Sequence, residues 1–334
     1  MKKRLLFMLA LLLILNLFAC NKKNTNYSGS VMLYTTLDEN AIRALKYAFE
    51  EEYKGMVLDF YYGDLDRVKN KIEIEFESGQ PNADVVFISS PLTLEEFKNS
   101  GKIIKYVSKE SKKIPDEYKD KDGYYAAGSV STMGITINKI PEVGIDEKEA
   151  PNTWNDFLDN KYKGKMAIIS PRNSEAAKYF VMAMMKNPKY GDAYFRRLRD
   201  YGVVVANGDM DAVDKVISGN YVVGICPDDK CVGLLKEFED FAFRYSEEDN
   251  ITMPQGVALI NDAANQENGK LLIDYILSKK GQDILVQNGL VSARTDVKNV
   301  MKSKNVIAKS IKVDINDLMN KGNNYTVMFD DIFG

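Results

Sequence analysis

Val31-Met32-Leu33-Tyr34-Thr35-Thr36, Met56-Val57-Leu58-Asp59-Phe60-Tyr61-Tyr62 and Asp84-Val85-Val86-Phe87-Ile88 are three short apolar runs, and what separates them decides the fold. Each run has the length of a strand. Between the first two, Ile42, Leu45 and Phe49 recur at helical spacing, and Asp38 stands where an N-cap belongs. Between the second and third, Val68, Ile72 and Phe76 share one face of a segment that starts at Leu65 and is stopped by Gly79-Gln80-Pro81-Asn82. A third helix is predicted from Leu92. Strand–helix–strand–helix–strand at this spacing is an α/β pattern and predicts a parallel sheet with right-handed crossovers.

Further along, the scheme repeats. Strands are predicted over 132–138, 166–169, 203–206 and 221–225. Helices are predicted at Trp154–Leu158 behind the cap Thr153, around Ala177, Phe180, Val181 and Met184, around Val213, Val216 and Ile217 up to Gly219, and from Leu271 to Leu285. Met182, Met184 and Met185 read as core filler.

Open parallel sheets bind their ligands at the carboxyl ends of the strands. Here those ends are polar loops: Thr35–Asp38, Tyr62–Asp64 and Ser89–Pro91 from the first set, Ser170–Ser174, Asn207–Asp209 and Cys226–Cys231 from the second. Most lead into helix N-termini, which gather backbone N–H groups and favour anions. Any one of them is an ordinary cap; their convergence predicts two lobes facing a cleft, the usual place for a small ligand.

At the other end of the scale, the first twenty residues predict an address. Lys2, Lys3 and Arg4 precede an apolar run from Leu5 to Ala19, broken only by Asn16. This reads as a secretory signal, shorter than the ~20 residues of a membrane span, with an uncleaved N-terminal anchor helix as the alternative. Cys20 directly after Leu17-Phe18-Ala19 resembles a bacterial lipobox. In that reading 1–19 is removed, Cys20 becomes the N-terminus and carries lipid (palmitate among it), and 20–30 is a flexible tether. The body then works in the periplasm or at the cell surface, anchored to a membrane.

Composition narrows the chemistry. The chain has 334 residues, suited to two cores, with 45 Lys and Arg against 48 Asp and Glu. Both signs are interspersed, which argues against nucleic acid as a partner. Histidine is absent. That removes the usual serine or cysteine hydrolase triad and the commonest ligand for zinc, copper and nickel. Any metal must then be held by oxygens or by the thiols of Cys226 and Cys231. Those two, four residues apart, suggest a small-loop disulfide in an oxidising compartment; two unpaired cysteines are the next reading and a dithiolate metal site the last.

Eight motifs occur in order: Leu33–Glu39, Asn82–Val86, Ile114–Tyr118 with Asp122–Tyr124, Ala150–Asp156, Tyr162–Lys165, Val216–Gly224, Pro254–Ala258 and Leu277–Gln282. The series resembles the extracellular solute-binding proteins of bacterial ABC importers, in particular the ferric-iron-binding (periplasmic iron-binding) group, over roughly 30 to 300. The resemblance implies a two-lobed periplasmic-binding-protein fold of type II. Each lobe is then a mostly parallel sheet flanked by helices, and two crossing strands join them and allow hinge closure. The lobes are expected over 31–130 plus 257–290 and over 131–256 plus 291–334. It further implies a monomer, delivery to a membrane permease with its ATPase, and no catalytic cofactor.

Two ligands follow from the cleft. Ferric iron, the cargo the resemblance implies, would take Asp228 and Asp229 as metal ligands, where the group usually supplies tyrosines, with Asp209 and a synergistic anion. Tyr61, Tyr62, Tyr124 and Tyr125 are further phenolates, each also readable as packing. An organic oxyanion (a sugar phosphate, a phosphonate or a dicarboxylate) would instead use the neutral donors Thr35, Thr36, Ser89, Ser90, Ser131, Asn173 and Ser174 with Arg172. A two-carboxylate enzyme built on Asp228 has no partner at a predictable spacing, so the chain is expected not to be an enzyme.

Overall fold

The computed structural model describes residues 27–299 and 310–334. The leader and Cys20 lie outside them. The expected tether, 20–30, is described only at its end, where the first strand already begins. That strand, β1 (Gly29–Thr35), pairs in parallel with β2 (Met56–Tyr62) and β3 (Val85–Ile88). Helices α1 (Glu39–Glu52) and α2 (Leu65–Glu77) connect them. The register follows from the side chains: Val31 and Leu33 are fully buried, as are Ile42, Leu45 and Phe49 on α1. Each such burial stabilises by about 1.5–3 kcal/mol.

The second parallel set is β8 (Val223–Pro227), β6 (Met166–Ile169) and β7 (Val204–Ala206). Helix α4 (Glu175–Lys186) follows β6, α5 (Gly191–Asp200) precedes β7, and α6 (Asp209–Ile217) follows it. Two long antiparallel strands lie between the sets, β5 (Tyr125–Asn138) and β10 (Thr252–Ile260), and the order runs β2-β1-β3-β10-β5-β8-β6-β7, with the short strands β4 (Ile103–Ile104) and β9 (Phe241–Arg244) pairing with β10 and β5 off this path. Every residue of β5 and β10 is buried. Their register shifts between Gln255 and Gly256, opposite Ser129 and Ala127.

Two cores meet near that shift. Ala126, Ala127, Val130 and Val257 belong to the first. Met133, Ile135 and Met253 belong to the second. Val291 and Ala293 pack in the first core rather than the second, to which the sequence reading assigned everything from 291. The chain hugs the first core as far as residue 299 is described, and Ile311 and Val313 pack on the second.

Other departures have local causes. The strand expected at 132–138 begins seven residues earlier, because Ala126-Ala127-Gly128-Ser129 is buried on both faces and carries no alternation. The helix expected over 271–285 is two, α7 (Gln266–Leu277) and α8 (Lys279–Gln287), broken where Ser278 caps the second through Gly281 N–H at 3.1 Å. A final helix, α9 (Ile315–Phe333), was not read from the sequence. It buries Leu318, Phe329 and Ile332 against the second core. Helix α3 (Pro91–Asn99), capped by Ser90, completes the first half. Among the described residues no helix is long and apolar enough to cross a membrane.

Candidate functional site

A cavity of ≈ 470 Å³ opens between the two halves, at the carboxyl ends of both parallel sets. It is lined by residues from each strand-end loop, including Thr36 and Ser89 from the first half and Ser174, Asp209 and Asp229 from the second. Ser131, Arg172 and Asn173 also line it. Thr36 Oγ1 accepts the Ser89 N–H at 2.9 Å, so one hydroxyl shapes two loops. Ser174 caps α4 by accepting from Ala177 N–H at 3.0 Å, leaving the first-turn amides of Glu175 and Ala176 at the cavity wall without intrahelical partners. Arg172 is committed elsewhere: its guanidinium pairs with Asp330 of α9.

Three expected site residues do not reach the cavity. Thr35 is fully buried; its hydroxyl donates to Phe87 O at 2.8 Å and accepts from Leu37 N–H at 3.0 Å. Ser90 is also fully buried, accepting from Thr93 N–H and donating to Glu175 Oε2 at 3.1 Å. Asp228 is the larger correction. It is fully buried, and its two oxygens accept from Thr132 N–H at 2.9 Å and Tyr245 O–H at 2.8 Å. A carboxyl used up in this way braces strand β5 and is not open to a metal. Within the loop, Asp228 and Cys231 are buried while Asp229 and Lys230 between them line the cavity.

Asp229 does face the cavity, but it too is engaged. Its Oδ1 accepts from Ser131 Oγ at 2.9 Å and its Oδ2 from Gln255 Nε2 at 3.1 Å. Tyr61, Tyr62, Tyr124 and Tyr125 line no part of the cavity. Tyr62 and Tyr125 donate to Glu39 and Glu95 instead. Among the described residues no group of three or more Cys, Asp or Glu is gathered closely enough to hold a metal ion. Cys226 and Cys231 are buried free thiols, not the expected disulfide. Burial pushes both thiols up, which keeps them protonated and unreactive.

The electrostatics of the wall are local. Burial raises the Asp209 carboxyl, the charge on Asp229 adds to this, and Ser174 and Lys230 oppose it. Asp209 Oδ1 is buried without a hydrogen-bond partner among the described residues. Such an oxygen at a cavity wall is ready to accept from a ligand hydroxyl or ammonium. Lys230 is raised by Asp229 first, against the cost of burial, with Asp38 and Asp209 adding to it. Its ammonium stands 3.9 Å from Asp229 Oδ2, an ion pair too long to be a hydrogen bond. It is therefore a cation within reach of an incoming anion.

The sequence reading passed over Lys230, Gln255 and Glu175 as site residues, and also Asn288–Leu290, which line the cavity from the first half. Lys230 carried a signal, being the one base in an acidic strand-end loop. Gln255 sat inside a quoted motif, but only the crossing of β5 and β10 puts it beside the cavity.

Residues 80–310 match the family described as "Bacterial extracellular solute-binding protein". The phosphoglycerate transport regulatory protein PgtC of Salmonella typhimurium is 23% identical over 265 residues, covering 78% of this chain and 64% of the relative's own length. The chain therefore spans less than two thirds of that relative. Iron-bound HitA from Pseudomonas aeruginosa superposes with a TM-score of 0.76 at 18% identity, over 91% of this chain and 99% of the other. The periplasmic binding protein AfuA from Actinobacillus pleuropneumoniae, with exogenous fructose 6-phosphate bound, gives 0.74 at 20% identity, over 92% and 99%. These likenesses give the fold: two α/β lobes of the type II periplasmic-binding-protein class, as expected.

Proposed function

The chain belongs to the bacterial extracellular solute-binding proteins, and from that premise we propose that it captures a hydroxylated organic oxyanion and hands it to an ABC permease driven by a cytoplasmic ATPase. The observation that carries this reading is the lining of the cavity. A space of ≈ 470 Å³ is walled by neutral hydroxyls, a helix N-terminus and the ammonium of Lys230, together with Arg172 and six carboxylate side chains, and with no tyrosine among the described residues that line it. That volume suits a small organic molecule and far exceeds one ion. The anionic group is assigned to the first turn of α4 and to Lys230, where backbone amides and a cation converge. The solute's hydroxyls are assigned to Asp209, whose buried oxygen lacks a donor among the described residues. A phosphorylated sugar or sugar acid meets both demands; a plain phosphate meets one.

Ferric iron is the second reading. The acidic wall, which includes Asp38, Asp64 and Asp209, and the likeness to iron-bound HitA favour it. Against it stand the engaged oxygens of Asp228 and Asp229. The same engagement removes Asp228 as an acid or base, so a binder rather than an enzyme is proposed. Lipid on Cys20 would tether the protein to the membrane that holds the permease.

Native mass spectrometry with elemental analysis of the protein as purified tests the ligand. A phosphorus-bearing organic passenger supports the oxyanion. One iron per chain, with no organic mass, sinks it. A calorimetric panel of fructose 6-phosphate, 3-phosphoglycerate and inorganic phosphate should then rank the hydroxylated compounds above phosphate alone.

A further inference from the structure

The two strands that cross between the lobes are not joined by backbone pairing alone. Ser129 and Ser131 lie on β5, Gln255 on β10, and Asp229 on the cavity loop that follows β8. Ser129 Oγ donates to Gln255 Oε1 at 2.5 Å. With that oxygen occupied, the amide of Gln255 is fixed in one orientation, and its Nε2 donates to Asp229 Oδ2 at 3.1 Å. Asp229 Oδ1 accepts from Ser131 Oγ at 2.9 Å. The four side chains form one hydrogen-bonded series, which closes into a circuit through the β5 backbone between Ser129 and Ser131.

Its location matters. The β5–β10 register shifts between Gln255 and Gly256, within a few residues of where the strands pass from the first core (Val130, Val257) to the second (Met133, Met253). An irregular ladder between two rigid bodies is where φ and ψ can change most cheaply. On the first-core side, Gly128 O is fixed by Gln282 Nε2 at 2.5 Å. On the other side, Thr132 N–H is fixed by Asp228. Between these anchors, the circuit adds side-chain bonds to the backbone pairing of 129–131 with 253–255. Asp229 closes the circuit and also faces the cavity beside Lys230.

We propose that Asp229 is a positioning residue: through the Ser129–Gln255–Asp229–Ser131 circuit it transmits the presence of a solute in the cavity to the angle between the lobes. An anionic group drawn to Lys230 changes the charge beside Asp229, and the circuit carries that change to both crossing strands at the point where they bend. This rests on the cavity being the solute site, but not on which solute it takes.

The circuit has a direction, and that makes it testable. Asp229→Asn keeps only one oxygen: turned to Ser131 it sets the amide N–H₂ against Gln255 Nε2, donor against donor, and turned to Gln255 it forces Ser131 Oγ to accept and leaves that hydroxyl's own proton without Asp229. Gln255→Glu alone sets two carboxylates face to face. The double variant restores every bond with the polarity of one link reversed, and keeps the total charge. Hydrogen exchange of the peptides covering 128–133 and 252–257, measured on the ligand-free chain, should speed up about tenfold in Asp229→Asn. It should return close to wild type in the double variant. Affinity for whichever probe of the panel wild type binds should fall and recover in parallel. Ser131→Ala is the milder check should the Asp229→Asn variant fold poorly, and a smaller rise in exchange is expected there. Exchange unchanged in both single variants overturns the proposal. So does a double variant that melts cooperatively yet exchanges as fast as Asp229→Asn, because Asp229 would then act as a direct contact. If wild type binds no probe, the solute reading fails while the exchange comparison still decides the circuit.

Discussion

The Asp228 carboxyl sits in an apolar interior, accepting from one peptide N–H and one phenol. Burial pushes it up to about 8, the charge of neighbouring Asp229 pushes the same way, and the bonds from Thr132 and Tyr245 pull it down. The folded chain therefore holds a proton that the unfolded chain releases near the ordinary carboxylate range. Stability from this group is complete below that range and is lost as pH rises through about 8. The slope is at most about 1.4 kcal/mol per pH unit for one proton. Urea unfolding at pH 5 and pH 8 should show wild type less stable at the higher pH. Asp228→Asn should flatten that difference, since an amide mimics the protonated acid. At the neighbouring position but one, Lys230→Met should weaken a phosphate-bearing probe by about 10–100-fold, the worth of one charge-assisted bond. Calorimetry checks it, and an unchanged constant would remove Lys230 from the site.

At the scale of elements, the crossing strands are packed so closely that two of their glycines leave no room for a methyl group. A Cβ on Gly128 would lie 2.7 Å from the ring of Phe87, and one on Gly256 would lie 2.3 Å from Leu94 Cδ1. Both neighbours are buried in the first half. Gly128→Ala and Gly256→Ala should each destabilise the chain by about 1–3 kcal/mol through overpacking. A cost below experimental error in urea unfolding would mean that Phe87 and Leu94 have free space to retreat into. Helix α1 offers the opposite test. Leu45 is fully buried, so Leu45→Ala should lower stability by about 2–5 kcal/mol with solute affinity retained, because α1 meets the cavity only at its N-terminus.

For the whole molecule, closure is the central expectation. Small-angle scattering with and without the best probe should give a smaller radius of gyration when the solute is present, and an identical envelope would deny hinge motion. The architecture behind this was legible because its signals are local. Ile42, Leu45 and Phe49 mark a helix face wherever the chain goes, and runs such as Val85–Ile88 mark strands buried on both sides. A loop between such a run and a helix must lie at the carboxyl end of a sheet, which is why Thr36, Ser89, Ser174 and Asp209 were placed in the cleft. The C-terminal helix was less legible, since its weak pattern becomes meaningful only against the groove between α4 and α5 that it covers. Whether a side chain in a placed loop faces the cavity or the core was not legible at all. Asp228 and Asp229 are identical in type and adjacent in the chain, yet one braces β5 and the other faces the cavity. That choice depends on which atoms of distant strands, Thr132, Ser131 and Gln255, arrive beside them. Sequence periodicity determines elements because it acts over a few residues; the tertiary fold decides ligands because the hydrogen bonds that orient them join residues far apart in the chain and form only once the lobes are assembled.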